Sequence, residues 1–186
     1  RRRHTRFRNV TGVQTCALPI WGVELAVDYL DGEFDGIEGR LLGHAVRIDA
    51  VDEGCDALGG SVGAEKILAN GTALIGAVGT TCSSAALGAA DGVFAQAGLP
   101  LISPSNTAPA LTSPADHTAT YLRTSPNDRI QGRVDANFAR LALRGERAAT
   151  LATPTPYPSA LAKVFADAFR ENGGTVVATA SFDGGA

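Results

Sequence analysis

The chain of 186 residues is 45% apolar and 19% charged, enough apolar content for a packed core and too much for disorder. No apolar run approaches the roughly 18 residues that suggest a membrane-spanning helix, and three cysteines are too few for a disulfide-built miniprotein. The net charge of −3 hides a split, because residues 1–20 hold five arginines and no acid, leaving 11 basic against 19 acidic side chains, a net of −8, in the rest.

The basic head contains Arg1, Arg2, Arg3, His4, Arg6 and Arg8. Such an arm suits a nucleic acid or an anionic membrane. A twin-arginine export signal is a second reading, but it needs an apolar stretch directly behind the charges, and residues 9–15 are too polar. Third, residues 1–20 resemble the conceptual translation of a sequencing adapter, up to an abrupt change at Trp21. They are therefore set aside as an artefactual, non-native segment, and Cys16 with them. The remaining acidic body has no basic stripe, so no nucleic-acid partner is expected.

From Trp21 onward, helices and strands alternate. Trp21, Val23, Leu25, Ala26, Tyr29 and Leu30 fit a helical stripe, with a turn at Gly36 and Gly39. Residues 45–51 alternate with period two and predict a strand. Residues 61–70 predict a helix stopped by Asn70-Gly71, and the apolar run 73–78 a buried parallel strand. A helix over 83–96 ends at Gly98, and strands follow at 99–102 and 121–124. A long helix over 127–143, a strand over 147–152, a helix over 158–171 stopped by Asn172-Gly173-Gly174, and a strand over 175–180 complete the series. Strands separated by helices imply βαβ crossovers and a parallel-sheet α/β fold. The body opens on a helix and closes directly after a strand, which predicts a piece of a longer protein.

Candidate chemistry gathers where strands end. In a parallel sheet, ligands bind in the crevice outside the carboxyl ends of the strands. The turn Gly79-Thr80-Thr81-Cys82-Ser83-Ser84 offers hydroxyls and helix N–H groups to a carboxylate, although plain N-capping is the commoner use of such serines. Residues 102–109, with Ser105, Asn106 and Thr107, form a second small polar loop at the same edge. Asp128 sits at a helix start, where it either caps or receives an amine. Tyr157 lies on a loop after a strand, in position to cover a ligand or to pack on the surface. Cys55 and Cys82 are two buried thiols or, in an oxidising compartment, a disulfide. Metal-ligand spacing, phosphate loops, dinucleotide fingerprints and nucleophile elbows are absent from the sequence, so neither a metal nor a cofactor is expected.

Taken in order, these segments resemble the type I periplasmic binding proteins, closest to the leucine/isoleucine/valine-binding branch that serves branched-chain amino acid ABC transporters. The residues that carry the resemblance are Asp52-Glu53-Gly54-Cys55-Asp56, Thr81-Cys82-Ser83-Ser84, Ile102-Ser103-Pro104 with Thr107-Ala108-Pro109 and Leu111-Thr112, and Arg123-Thr124 with Asp128 and Gln131-Gly132. It runs from about Trp21 to Ala186. It implies two α/β lobes on a hinge: residues 21–123 as a first lobe lacking its first strand, and 124–186 as the start of a truncated second lobe. It further implies that Ser83 binds the ligand carboxylate, that Ser105 and Thr107 offer backbone and hydroxyl groups, that Asp128 holds the ammonium and that Tyr157 lines the second-lobe side. The family disulfide maps onto Cys55 and Cys82. The implied protein is an exported, periplasmic, non-enzymatic monomer that delivers a small solute, an amino acid or related amide, to a membrane permease. Asn106 departs from the smaller apolar residue common in amino-acid binders, which bears on the choice of solute. Two alternatives remain: a ligand-sensing receptor module of the same fold, and a small α/β hydrolase using Ser83.

Overall fold

The computed structural model describes residues 14–32, 40–70 and 74–183. The chain divides into two compact units, residues 1–50 and 51–186.

In the first unit, helix α1 spans Gln14–Asp31, and the strands β1 (Arg40–Leu41) and β2 (His44–Ala45) form a short antiparallel hairpin. Leu42 and Gly43 close the hairpin with positive φ of 52° and 82°, and the Arg40 guanidinium donates to the Gly43 carbonyl at 2.6 Å. Helix α1 begins seven residues before the expected start at Trp21, and Pro19 lies inside it. Residues 1–13 and the expected turn at Gly36 and Gly39 lie outside the described residues. The predicted strand over 45–51 is not formed beyond Ala45. Alternation gives a strand its two faces, but a strand also needs a ladder, and the described residues form none over 46–53.

The second unit carries two parallel sheets. Helix α2 (Ala57–Ala69) starts four residues earlier than predicted, because Asp56 caps it by accepting from the Gly59 N–H at 2.7 Å. Strand β3 (Ala77–Val78) leads to helix α3 (Ser83–Ala89), which continues as a π-helical turn over Ala90–Phe94. Strand β4 (Leu101–Ser103) and a 3₁₀ turn (Pro109–Thr112) precede strand β5 (Tyr121–Arg123). The order β3-β4-β5 is parallel throughout, with Ala77, Leu101 and Tyr121 in one row. Helix α4 (Asp128–Asn137) is capped by Asn127 and continues as a π turn over Phe138–Ala142. Strand β6 (Arg147–Ala152), helix α5 (Pro156–Glu171) and strand β7 (Thr175–Ser181) close the series, with β6 and β7 parallel.

Helix α5 starts on Pro156, whose fixed φ suits a first helical position. It ends in a Schellman motif: Gly173 takes φ 78°, and the Gly173 and Gly174 N–H groups donate to the carbonyls of Arg170 and Phe169. The sequence predicted both this stop and the one at Gly98.

Two separate cores result. One gathers Ala64, Ala86, Ala89, Ala90, Val93, Phe94, Leu101, Leu111 and Tyr121 between α2, α3 and the three-stranded sheet. The other gathers Ala136, Ala168 and Phe169, with the Phe165 and Phe169 rings stacked 5.6 Å apart. Small residues set the spacing in both. A Cβ on Gly60 would overlap the Ala85 carbonyl, and one on Gly132 would overlap Val164, so α2 meets α3 and α4 meets α5 at backbone distance.

Candidate functional site

The site is built from two loops at the carboxyl ends of β3 and β4, tied to the segment that follows β5. The β3 loop is held from below by the segment before α2. Both Glu53 carboxylate oxygens accept the Thr81 N–H, at 3.0 and 2.9 Å, and Oε1 also accepts the Cys82 N–H at 2.8 Å. Two residues on, Cys55 forms a disulfide with Cys82, with a Cα–Cα distance of 5.1 Å. Gly54 and Cys55 both take positive φ, 61° and 58°, and the Gly54 N–H donates to Asp52 Oδ1 at 2.9 Å, which folds this short loop back onto the turn. Burial pushes the Glu53 carboxyl up, the Cys82 and Thr81 N–H groups pull it down, and the Asp52 charge adds to the rise. Glu53, Cys55 and Cys82 bring three potential ligand atoms within 4.8 Å of one another. The two sulfurs are bonded to each other, however, and a metal requires thiolates.

The β4 loop is stitched to the β3 loop by hydroxyls. Buried Ser103 donates to the Thr80 carbonyl at 2.8 Å and accepts the N–H groups of Ser105 and Asn106. The Ser105 hydroxyl donates to the Thr81 carbonyl at 3.0 Å. Ser83, only 5% exposed, accepts the Ala108 N–H at 3.3 Å. Its partner is thus a backbone amide of the neighbouring loop, and no imidazole contact accompanies it among the described residues.

Asn106 is the hub. It is 1% exposed; its Oδ1 accepts from the Thr80 hydroxyl at 3.1 Å and the Tyr121 hydroxyl at 3.0 Å, while its Nδ2 has no partner among the described residues. Its carbonyl accepts from Arg123 at 3.2 Å and from Ser125 at 2.8 Å. Arg123 also donates to the Ala108 carbonyl at 3.0 Å and to the Thr112 hydroxyl, so β5 and its exit are locked to the loop after β4.

Asp128 completes the network. Its N–H donates to the Thr107 carbonyl at 2.9 Å. Its side chain is fully buried, yet neither carboxylate oxygen has a hydrogen-bond partner among the described residues. Burial pushes this carboxyl above the usual aspartate range; Thr107 and the Arg123 charge pull it back. A buried carboxylate of this kind calls for a cation or a donor.

Four of the five predicted residues, Ser83, Ser105, Thr107 and Asp128, therefore belong to one hydrogen-bonded assembly. Tyr157 differs from expectation in its placement: it is the second residue of α5, not a loop residue, because Pro156 starts the helix, and it is 41% exposed. Cys55 and Cys82 are joined as the family resemblance implied. Sequence reading did not single out Glu53 or the hub role of Asn106. The acidic run beside Cys55 was the available signal for Glu53, since any group two residues from that cysteine is carried to the Cys82 turn.

A family model described as periplasmic binding protein matches residues 17–186. The Leu/Ile/Val-binding protein of Escherichia coli (strain K12) is 29% identical over 165 residues, covering 84% of this chain and 43% of that protein. Among solved structures, an ABC transporter substrate-binding protein from Desulfitobacterium hafniense in complex with Leu is 26% identical, with a TM-score of 0.71 over 90% of this chain and 47% of that one. A leucine binding protein from Thermotoga maritima shares the fold at 20% identity, with a TM-score of 0.77 over 94% of this chain and 47% of that one. The chain thus spans less than half the length of the curated relatives it matches. With the family model matching nearly all of it, and with parallel sheets whose β3 and β4 loops are cross-tied beside a buried acid, the chain belongs to the periplasmic binding proteins, in the type I fold.

Proposed function

We propose that this chain is the ligand-binding part of a solute-binding protein for an ABC importer, and that its solute is a small zwitterion of the branched-chain amino acid kind. The observation that carries this reading is Asp128, a fully buried carboxylate whose oxygens have no hydrogen-bond partner among the described residues, beside a half-buried Thr107. An ammonium group supplies the charge and the donors that this carboxylate lacks. At the other end of the solute, the Ser83 hydroxyl, which accepts from Ala108 and keeps its own proton, donates to the carboxylate. Ser105 and Thr107 contribute backbone and hydroxyl groups between them. Tyr157 lines the opposite side.

The two separate cores support a reading as two lobes, 21–123 and 124–186, with the hinge near Arg123-Thr124. Closure would be driven by solute contacts to both lobes. In this reading the protein binds without turnover, acts as a monomer outside the cytoplasm, and hands its solute to a membrane permease. The names of the relatives support the solute class: one is a Leu/Ile/Val-binding protein, and another was solved with Leu.

A thermal-shift panel of the amino acids, simple amides and aromatic acids tests it. The expected result is stabilisation by leucine, isoleucine or valine that Thr107→Ala removes. Flat melting curves across the panel, or hydrolysis of an ester or amide that Ser83→Ala abolishes, would refute it.

A further inference from the structure

We propose that Glu53 is a positioning and specificity residue, an internal anion that shapes the Gly79–Ser84 turn and restricts it to a singly charged or neutral head group. This rests on the solute-binding reading above. Loops that hold phosphate or sulfate do so by turning several backbone N–H groups toward one anion. In this turn the Thr81 and Cys82 N–H groups already point at the protein's own carboxylate, in three contacts of 2.8–3.0 Å. An incoming oxyanion finds those donors taken.

The occupant is also hard to displace. The Asp52–Gly54 contact and the Cys55–Cys82 disulfide fix the loop on both sides of Glu53, so leaving the turn means unfolding a covalently closed segment. Its charge acts on selectivity as well as on shape. At any given distance a dianion is repelled twice as strongly as a monocarboxylate, and Asp52 adds to that field. What the turn still offers is the Ser83 hydroxyl, which suits one carboxylate oxygen or one carbonyl.

The test is amide NMR on the whole chain with its disulfide intact, using inorganic phosphate as the probe. In the wild type, the Thr81 and Cys82 amide signals should ignore phosphate. In E53Q and E53A they should shift with phosphate, with at least about a tenfold gain in apparent affinity, the equivalent of one such interaction. A merely structural role would alter stability without creating this response. The proposal is overturned if phosphate moves these two amides in the wild type, or if they stay silent in a folded variant. Should both variants fail to fold, the wild type still decides: the Thr81 and Cys82 amide protons must co-titrate with the Glu53 carboxyl carbon, and independent titration overturns the proposal. A leucine titration run in parallel separates the two ideas, because absence of leucine binding counts against the solute reading while the amide response judges Glu53.

Discussion

Replacing Asp128 by Asn should make the ligand-free protein more stable and the protein a worse binder. The two side chains have nearly the same shape, so the change removes charge and little else. In the wild type, the carboxylate is fully buried, its oxygens have no hydrogen-bond partner among the described residues, and Thr107 and the nearby Arg123 charge offset its desolvation only in part. An unsatisfied buried polar group costs about 1–3 kcal/mol, and more when charged. Asn remains polar and partly unsatisfied, so the gain is the difference, about 1–2 kcal/mol. For a chain of this length that corresponds to a rise in Tm of about 2–8 °C. The pH dependence follows from the direction of the shift. The carboxyl is raised in the folded state, so protonation favours folding, and wild-type stability falls as pH climbs through that raised value. The gap between variant and wild type should therefore nearly vanish below about pH 3.5, where Asp is protonated folded or unfolded, and be complete by pH 7. Differential scanning calorimetry from pH 3.5 to 8 measures it, and taking the difference cancels the other carboxyls. Amino-acid affinity should fall by about 30-fold or more, the cost of removing one partner of a buried charge pair. A D128N protein less stable than wild type at pH 7, or a gap independent of pH, would refute the reasoning.

Replacing Cys55 and Cys82 together by Ala should cost about 3.5 kcal/mol, the loop-closure value for a separation of 27 residues, read from urea unfolding as a lower midpoint. Gly60→Ala should cost about 1–3 kcal/mol despite the better helix propensity of Ala, because the new Cβ overlaps the backbone of α3 and not a movable side chain. A stabilised G60A protein in the same urea assay would show that α2 and α3 can separate freely.

The parts of the fold legible in the sequence were those fixed locally. Strands β4, β5 and β6 are short runs bounded by turn residues, and α5 stops at a glycine that only a left-handed cap requires. The start of α2 was placed late because Gly59 and Gly60 weaken helix propensity; those glycines allow close packing on the segment before α2 and on α3, a tertiary reason that outweighs propensity. The strand predicted over 45–51 had the right alternation, but the ladder stops at Ala45. At the site, Ser83, Ser105, Thr107 and Asp128 could be named because strand ends in a parallel sheet converge at one edge. Glu53 and Asn106 could not, since their roles rest on hydrogen bonds across 28 and 26 residues that no local pattern encodes.

The central claim is that the two cross-tied loops and Asp128 form the face that receives an amino acid. An amide NMR titration of this chain with leucine, isoleucine and valine tests it most directly, since it detects even millimolar binding and locates it. The account predicts saturable shifts centred on Ser83, Ser105, Thr107 and Asp128, all lost in D128N. Shifts centred instead on the groove between β6, β7 and α5, lined by Thr150, Lys163 and Ser181, or no shifts at all, would contradict it.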